Sequence, residues 1–176
     1  MNFARDVVDA ADPSRTALIA LGRDGSRREL SFGEVSDRSA RLAGALAARG
    51  VRRGDAVMTV IGNRPEWAFA TLACLRIGAV ALPCNEQLRA ADLRSRLEAT
   101  DPRLVVADWR DVETVVEAGF DGPIVTVPDE RLLEATRAPA IDLDPDEPAL
   151  IVFTSGTAGE PRPIRHGQRY FAGQRV

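Results

Sequence analysis

Hydrophobic and polar positions along the 176 residues alternate between short apolar runs and longer stretches of helical period. Thr16–Leu21 and Arg28–Phe32 are strand-like runs separated by the turn signal Arg23-Asp24-Gly25, a pattern that predicts a hairpin. Ser31 followed by Glu34 has capping-box spacing, and Val35, Leu42, Ala43, Leu46 and Ala47 then recur at helical period until Gly50. Asp55–Ile61 reads as a buried strand, and Pro65 opens a helix that runs through Trp67, Ala70, Ala73 and Cys74 to Gly78. Ala79–Pro83 is the next strand. The pattern then predicts a helix over about Ala90–Thr100 stopped by Pro102, and a strand, Leu104–Asp108, buried on both faces. A helix starting at Asp108 or Trp109 and ending at Gly119 comes next, then a strand, Ile124–Val127, and a short helix over Asp129–Thr136. A Pro- and Asp-rich connector, Arg137–Pro148, leads into the strand Ala149–Phe153.

Repeated strand-helix-strand units with continuous apolar strands predict an α/β fold, a mainly parallel sheet with helices on both faces. Ligands of such sheets bind beyond the carboxyl ends of the strands. No internal repeat or low-complexity segment interrupts the pattern.

Composition narrows the function. A formal net charge of -3 lacks the basic footprint that nucleic acid or an anionic membrane surface demands, so a small molecule or another protein is the expected partner. All 23 basic residues are Arg, which excludes Schiff-base chemistry by this chain and removes the usual phosphate-binding Lys. Cys74 and Cys84 lie in apolar runs and read as reduced, buried thiols. With acids where a signal peptide is basic, and no run near the ~18 apolar residues of a membrane span, a cytoplasmic location is expected.

The chemistry concentrates after the last predicted strand, in LIVFTSGTAGEPRPIRH, Leu150–His166. Gly156 and Gly159 permit close backbone approach to a ligand, and Thr154, Ser155 and Thr157 add hydroxyl donors. Successive main-chain N–H groups in such a turn form an anion-binding concavity. The Walker pattern is absent. Local chemistry alone leaves two readings open, a plain Gly/Ser/Thr turn joining two strands and a phosphate cradle.

Thr154-Ser155-Gly156-Thr157-Ala158-Gly159-Glu160-Pro161-Arg162 resembles the phosphate-loop signature of the adenylate-forming superfamily of acyl-CoA synthetases, adenylation domains and luciferases, with Arg162 in place of the usual Lys. SFGEV and NRPEWAFATLACLRIGAVALPCN are similar to earlier family segments, so the resemblance covers most of residues 30 to 166. His166 lies five places after Pro161, and this short spacing, with Pro65-Glu66-Trp67, Arg76-x-Gly78 and Tyr170, resembles the acetyl and medium-chain acyl-CoA synthetases.

The resemblance implies a two-step ligase reaction. A short- or medium-chain carboxylate attacks the α-phosphate of Mg2+-ATP to give acyl-adenylate and pyrophosphate, and the thiol of coenzyme A then displaces AMP. Thr154–Arg162 would hold the leaving phosphates by position and charge, with no residue here acting as acid or base. Arg162, in the place of the family's Lys, reads as a phosphate contact, with a solvated loop charge as the alternative. His166, in the connection from loop to helix, is read as structural, and Trp67 as core packing. Asp142, Asp144, Asp146 and Glu147 are read as a solvated connector broken by Pro145 and Pro148, not as a metal site.

By the same resemblance, residues 1–176 are a partial N-terminal AMP-binding domain, with scaffold and connector over 1–148 and strand and loop over 149–166. The adenine and acyl pockets, the metal-binding carboxylate and the C-terminal lid are expected to lie outside these residues. The chain is expected to be the first third of such an enzyme and inactive alone, and the alternative is a short non-catalytic nucleotide-binding or interaction module. A truncated sheet would expose an edge and apolar faces, so self-association is expected.

Overall fold

The computed structural model of the chain describes residues 1–22, 24–154 and 161–173. A helical turn, Ala4–Asp9, precedes an antiparallel hairpin of β1 (Thr16–Leu21) and β2 (Arg27–Ser31). Ser31 ends β2 and caps α1 (Phe32–Ala48): its hydroxyl accepts from the Glu34 amide, and the Glu34 carboxylate accepts from the Ser31 amide. The chain continues through β3 (Ala56–Val60), α2 (Pro65–Ile77), β4 (Val80–Cys84) and α3 (Ala90–Thr100). After these come β5 (Leu104–Asp108), α4 (Val112–Glu117), β6 (Ile124–Val127), β7 (Pro148–Thr154), β8 (Arg162–Gly167) and α5 (Arg169–Gly173).

Six strands form one sheet in the order β6-β5-β3-β4-β7-β8, parallel throughout except for the antiparallel pair β7 and β8. Alternate residues of each strand feed opposite faces. Val57, Leu104, Val106 and Val125 meet the α1 and α2 residues Leu42, Leu46, Phe69 and Leu75. Met58, Val60, Leu82 and Val105 meet Leu93 of α3 and Val115 of α4. Covering both faces explains why the strands read as unbroken apolar runs, each fully buried Val or Leu contributing about 1.5–3 kcal/mol. Among the described residues, no helix is long and apolar enough to cross a membrane.

The predicted hairpin, the helices opened at Ser31 and Pro65, and the strands β3 to β7 are present. The helix expected from Asp108 or Trp109 begins only at Val112, because the Asp108 carboxylate accepts from the Arg110 amide and holds 109–111 in a turn. The helix expected over Asp129–Thr136 is a 3₁₀ turn, Glu130–Glu134, and the Asp129 carboxylate accepts from the Arg131 amide within it. The pattern of apolar positions predicts neither Ala4–Asp9 nor β8.

One ion pair ties the helical layer to the N-terminal segment. Arg76 on α2, 4% exposed, donates to both carboxylate oxygens of Asp9 at 2.9 and 2.6 Å, and Ser36 of α1 donates to the same group. Burial pushes the Asp9 carboxyl up, but the Arg76 and Ser36 hydrogen bonds and the Arg76 charge override it, and the folded value lies below the ordinary one. An acid with a lowered folded pKa stabilises the fold above its unfolded pKa, and that stabilisation is lost as pH falls through the folded value. Asp9→Ala, which leaves Arg76 buried and unpaired, is expected to cost about 3–5 kcal/mol in urea unfolding at neutral pH. The gap between parent and variant should close as acid protonates Asp9.

Candidate functional site

At the carboxyl end of β7 the chain turns back on itself, and Thr154 pairs in register with Arg162. β7 and β8 therefore form an antiparallel pair, with the motif between them. Of the residues singled out there, Thr154, Pro161 and Arg162 are described, and all are exposed; Ser155, Gly156, Thr157, Ala158, Gly159 and Glu160 lie outside the described residues. Cross-strand partners share a sheet face. Thr154 and Arg162 therefore project from the same face of the sheet at the ends of the two strands.

The hairpin also corrects the reading of residues 162–166. Arg162 and Pro163 open a strand, and His166 lies in β8 opposite Leu150, not in a loop-to-helix connection. The half-buried His166 ring stacks on Tyr170 at 4.5 Å between centroids. That position supports its structural reading.

A second feature lies at the same end of the sheet. The connection from β3 runs into α2 on one face, whereas that from β5 runs into α4 on the other. Adjacent strands whose connections part to opposite faces leave a crevice between them. A cleft of about 970 Å³ occupies this place, lined by Gly62, Asn63 and Arg64 after β3, Asn85 to Gln87 after β4, and Arg110 and Asp111 after β5. The Glu86 carboxylate packs against Gly62, in the space that a Cβ at that position would take. Trp67 also lines the cleft and is 42% exposed, which corrects its assignment to the core. The helical period of its neighbours had suggested burial, but its ring stands at the open end of the crevice.

Charge organises the cleft floor. Asp108 is fully buried and pairs with Arg64 across the crevice and with Arg110 at 3.0 Å. Arg64 Nε is buried with no hydrogen-bond partner among the described residues. Burial, then the charge of Glu86, pushes the Asp111 carboxyl above its ordinary value against the pull of Arg110 and Arg64. This constellation went unnoticed in the sequence; its signal was an Asp ending a buried strand, with an Arg two residues on.

Metal-ligating groups are arranged differently. No cluster of three or more His, Cys, Asp or Glu suited to a metal occurs among the described residues. The connector acids pair with arginines instead: Asp142 with Arg5, Glu147 with Arg53 and Asp146 with Arg169.

Both cysteines are free and buried. Burial pushes each thiol up to about 12, including Cys84 at the edge of the cleft. At pH 8 the native protein should therefore leave both thiols unmodified by iodoacetamide, while the denatured chain takes up two labels, as intact mass would record.

A family model described as AMP-binding enzyme matches residues 5–175. The mitochondrial acyl-coenzyme A synthetase ACSM2 of Rattus norvegicus is 31% identical over 192 residues, spanning 94% of this chain and 33% of its own length. Sulfoacetate–CoA ligase of Cupriavidus necator is 35% identical over 156 residues, 82% of this chain and 30% of its own length. Among solved structures, a Brucella canis acyl-CoA synthetase superposes with a TM-score of 0.87 at 23% identity, covering 98% of this chain and 34% of that one. Apo MatB from Rhodopseudomonas palustris gives a TM-score of 0.82 at 27% identity, covering 98% and 36%. The chain thus spans about a third of the length of these relatives. With its parallel sheet, its loop after β7 and a family match along nearly its whole length, the chain belongs to the AMP-binding enzyme family.

Proposed function

We propose that this chain is part of an ATP-dependent acid–thiol ligase, joining a short- or medium-chain carboxylic acid to coenzyme A through an acyl-adenylate. The observation that carries the reading is the Thr154–Arg162 motif standing at the carboxyl end of β7, with Thr154 and Arg162 paired at its base. In the first step a carboxylate oxygen bonds to the α-phosphorus of ATP and pyrophosphate leaves. In the second, the thiol sulfur bonds to the acyl carbon, its proton is lost and AMP leaves.

The roles available to this chain are positional. Main-chain amides and hydroxyls of Thr154–Gly159 would hold the departing phosphates, and Arg162 would supply charge to them, bidentately where geometry allows. Mg2+ would arrive on the phosphates of ATP. The cleft between β3 and β5 lies at the same end of the sheet, and its Arg64, Arg110 and exposed Trp67 suit a phosphorylated co-substrate carrying an aromatic base. The short Pro161–His166 spacing supports the short- or medium-chain class.

Two further readings rest on the same footing. The free, buried thiols support a reducing, cytoplasmic setting. β8 is an edge strand with Ile164 44% exposed, which supports self-association of this segment through that edge.

Isothermal titration of Mg2+-ATP into this chain tests the site. Arg162→Ala is expected to weaken binding about tenfold and Arg162→Lys by a smaller factor, about threefold, because the ammonium keeps the charge but loses the paired donors. Equal affinity in parent and Arg162→Ala would remove Arg162 from the site. The 176-residue chain alone is expected to show no carboxylate-dependent pyrophosphate release; measurable turnover would overturn the division of labour proposed here.

A further inference from the structure

The connector that enters β7 is gripped at both ends by groups that the ligase reading leaves unused. At its start stands Asn2, fully buried. Its Nδ2 donates to the carbonyls of Leu75 and Arg76 at the end of α2, at 3.0 and 3.1 Å, and to the connector carbonyl of Ile141 at 2.9 Å. Its Oδ1 accepts from the amides of Ala4 and Arg5, which fixes the amide plane. The connector answers with two amides of its own: Ile141 donates to the Arg76 carbonyl at 3.0 Å, and Leu143 to the Met1 carbonyl at 3.1 Å. Gly78, at φ 72°, ends α2 in a left-handed turn, and Leu143 and Ile141 close over it so tightly that a Cβ would lie 2.8 and 3.2 Å from them.

At the other end the connector holds the last turn of the hairpin. The Gln168 amide donates to the Glu147 carbonyl and the Arg169 amide to the Pro145 carbonyl, both at 2.9 Å. A Cβ on Gly167 would lie 3.0 Å from the Pro145 carbonyl oxygen and 3.2 Å from the Asp146 backbone. Glu147 is itself fixed by Arg53, and Pro148 begins β7 immediately after it. Residues 145–147 therefore hold the start of β7 and the end of β8 together. Against this order, the buried side chain of Gln168 has neither polar atom partnered among the described residues. Such a group destabilises its surroundings, so this end of the hairpin depends on the bonds that the connector supplies.

We propose that residues 141–147 act as a coupling strap, by which the seating of Asn2 on α2 fixes the β7–β8 hairpin and so the spacing of Thr154 and Arg162 at its far end. The N-terminal segment is then a conformational control on the two strands, β7 and β8, that end at Thr154 and begin at Arg162. That the loop binds phosphate rests on the ligase reading; the coupling does not. Linkage makes it reciprocal, so prying the hairpin from the strap must loosen the seat of Asn2 by the same factor.

Amide hydrogen exchange of the full chain, followed residue by residue by NMR, tests both directions. Asn2→Ala is expected to speed exchange about tenfold at Gln168 and Arg169 as well as at Ile141 and Leu143, with Met58–Val60 and Val105–Ala107 unchanged. Gly167→Ala, which forces a Cβ against the Pro145 carbonyl, is expected to speed exchange at Ile141 and Leu143. The double variant should fall short of the product of the single effects by about threefold or more. Changes confined to the substituted end, or effects that multiply, would overturn the strap. Should Asn2→Ala raise exchange throughout the sheet, Asp142→Asn decides, since among the described residues Asp142 makes only the exposed pair with Arg5 and the substitution leaves Arg5–Asp6 in place; a smaller rise at Gln168 and Arg169 supports the strap and none overturns it. Mg2+-ATP titration of the same variants separates the two readings. Coupled exchange in a chain that binds no ATP keeps the strap and removes the phosphate role.

Discussion

A carboxylate buried at the end of a central strand persists only if positive charge and hydrogen-bond donors reach it, because desolvation would otherwise favour its neutral form. Asp108 meets that condition through Arg64 from the loop after β3, Arg110 from its own loop, and the Arg110 amide. The pairing with Arg64 spans the point where the β3 and β5 connections part to opposite faces. It closes the floor of the crevice without filling it. Removing Asp108 would leave two arginines competing with solvent for a place in the floor, and the loops that carry them would lose their common anchor.

The same logic of scarce anchors runs through the helical layer. Asp9 is shared by Arg76 and Ser36, and Asn2 is shared by two segments distant in sequence. Each is a polar group with more bonds than a surface residue makes, placed where secondary-structure elements end. Elements end with orphan amides and carbonyls, so these sites are where side chains from elsewhere can bind most usefully. Gly44 shows the reverse constraint. A Cβ there would collide with the Thr136 carbonyl, so α1 accepts the start of the connector only because that position has no side chain.

What the sequence made legible was local. The capping box at Ser31 and Glu34, Pro65 at the first turn of α2 and Gly78 after its last all act within a few residues, and each is where it was expected. The apolar strands were legible because burial on two faces leaves no alternation to confuse. β8 was hidden because Arg162, Pro163, Arg165 and Gly167 have no strand signature of their own; it is a strand only because β7 lies beside it. Trp67 was misplaced for a related reason. Helical period reports which side of α2 a residue occupies, but not that this side emerges at a crevice formed by β3, β4 and β5. The motif Thr154–Arg162 is a reading by resemblance, and of its nine residues three can be set in the fold.

Placing Arg162 as the first residue of β8 changes what the exchange of Lys for Arg means. On a free loop, a guanidinium's greater length and planarity would be absorbed by backbone movement. On a strand paired with β7, the Cα is fixed opposite Thr154, and reach must come from the side chain alone. A guanidinium keeps its charge at any accessible pH and offers two parallel donors, so a fixed Cα costs it less than it would a point-like ammonium that must be aimed at one oxygen. In a chain that carries no Lys, Arg at this place would, on the proposed phosphate role, meet the geometric constraint that β8 imposes.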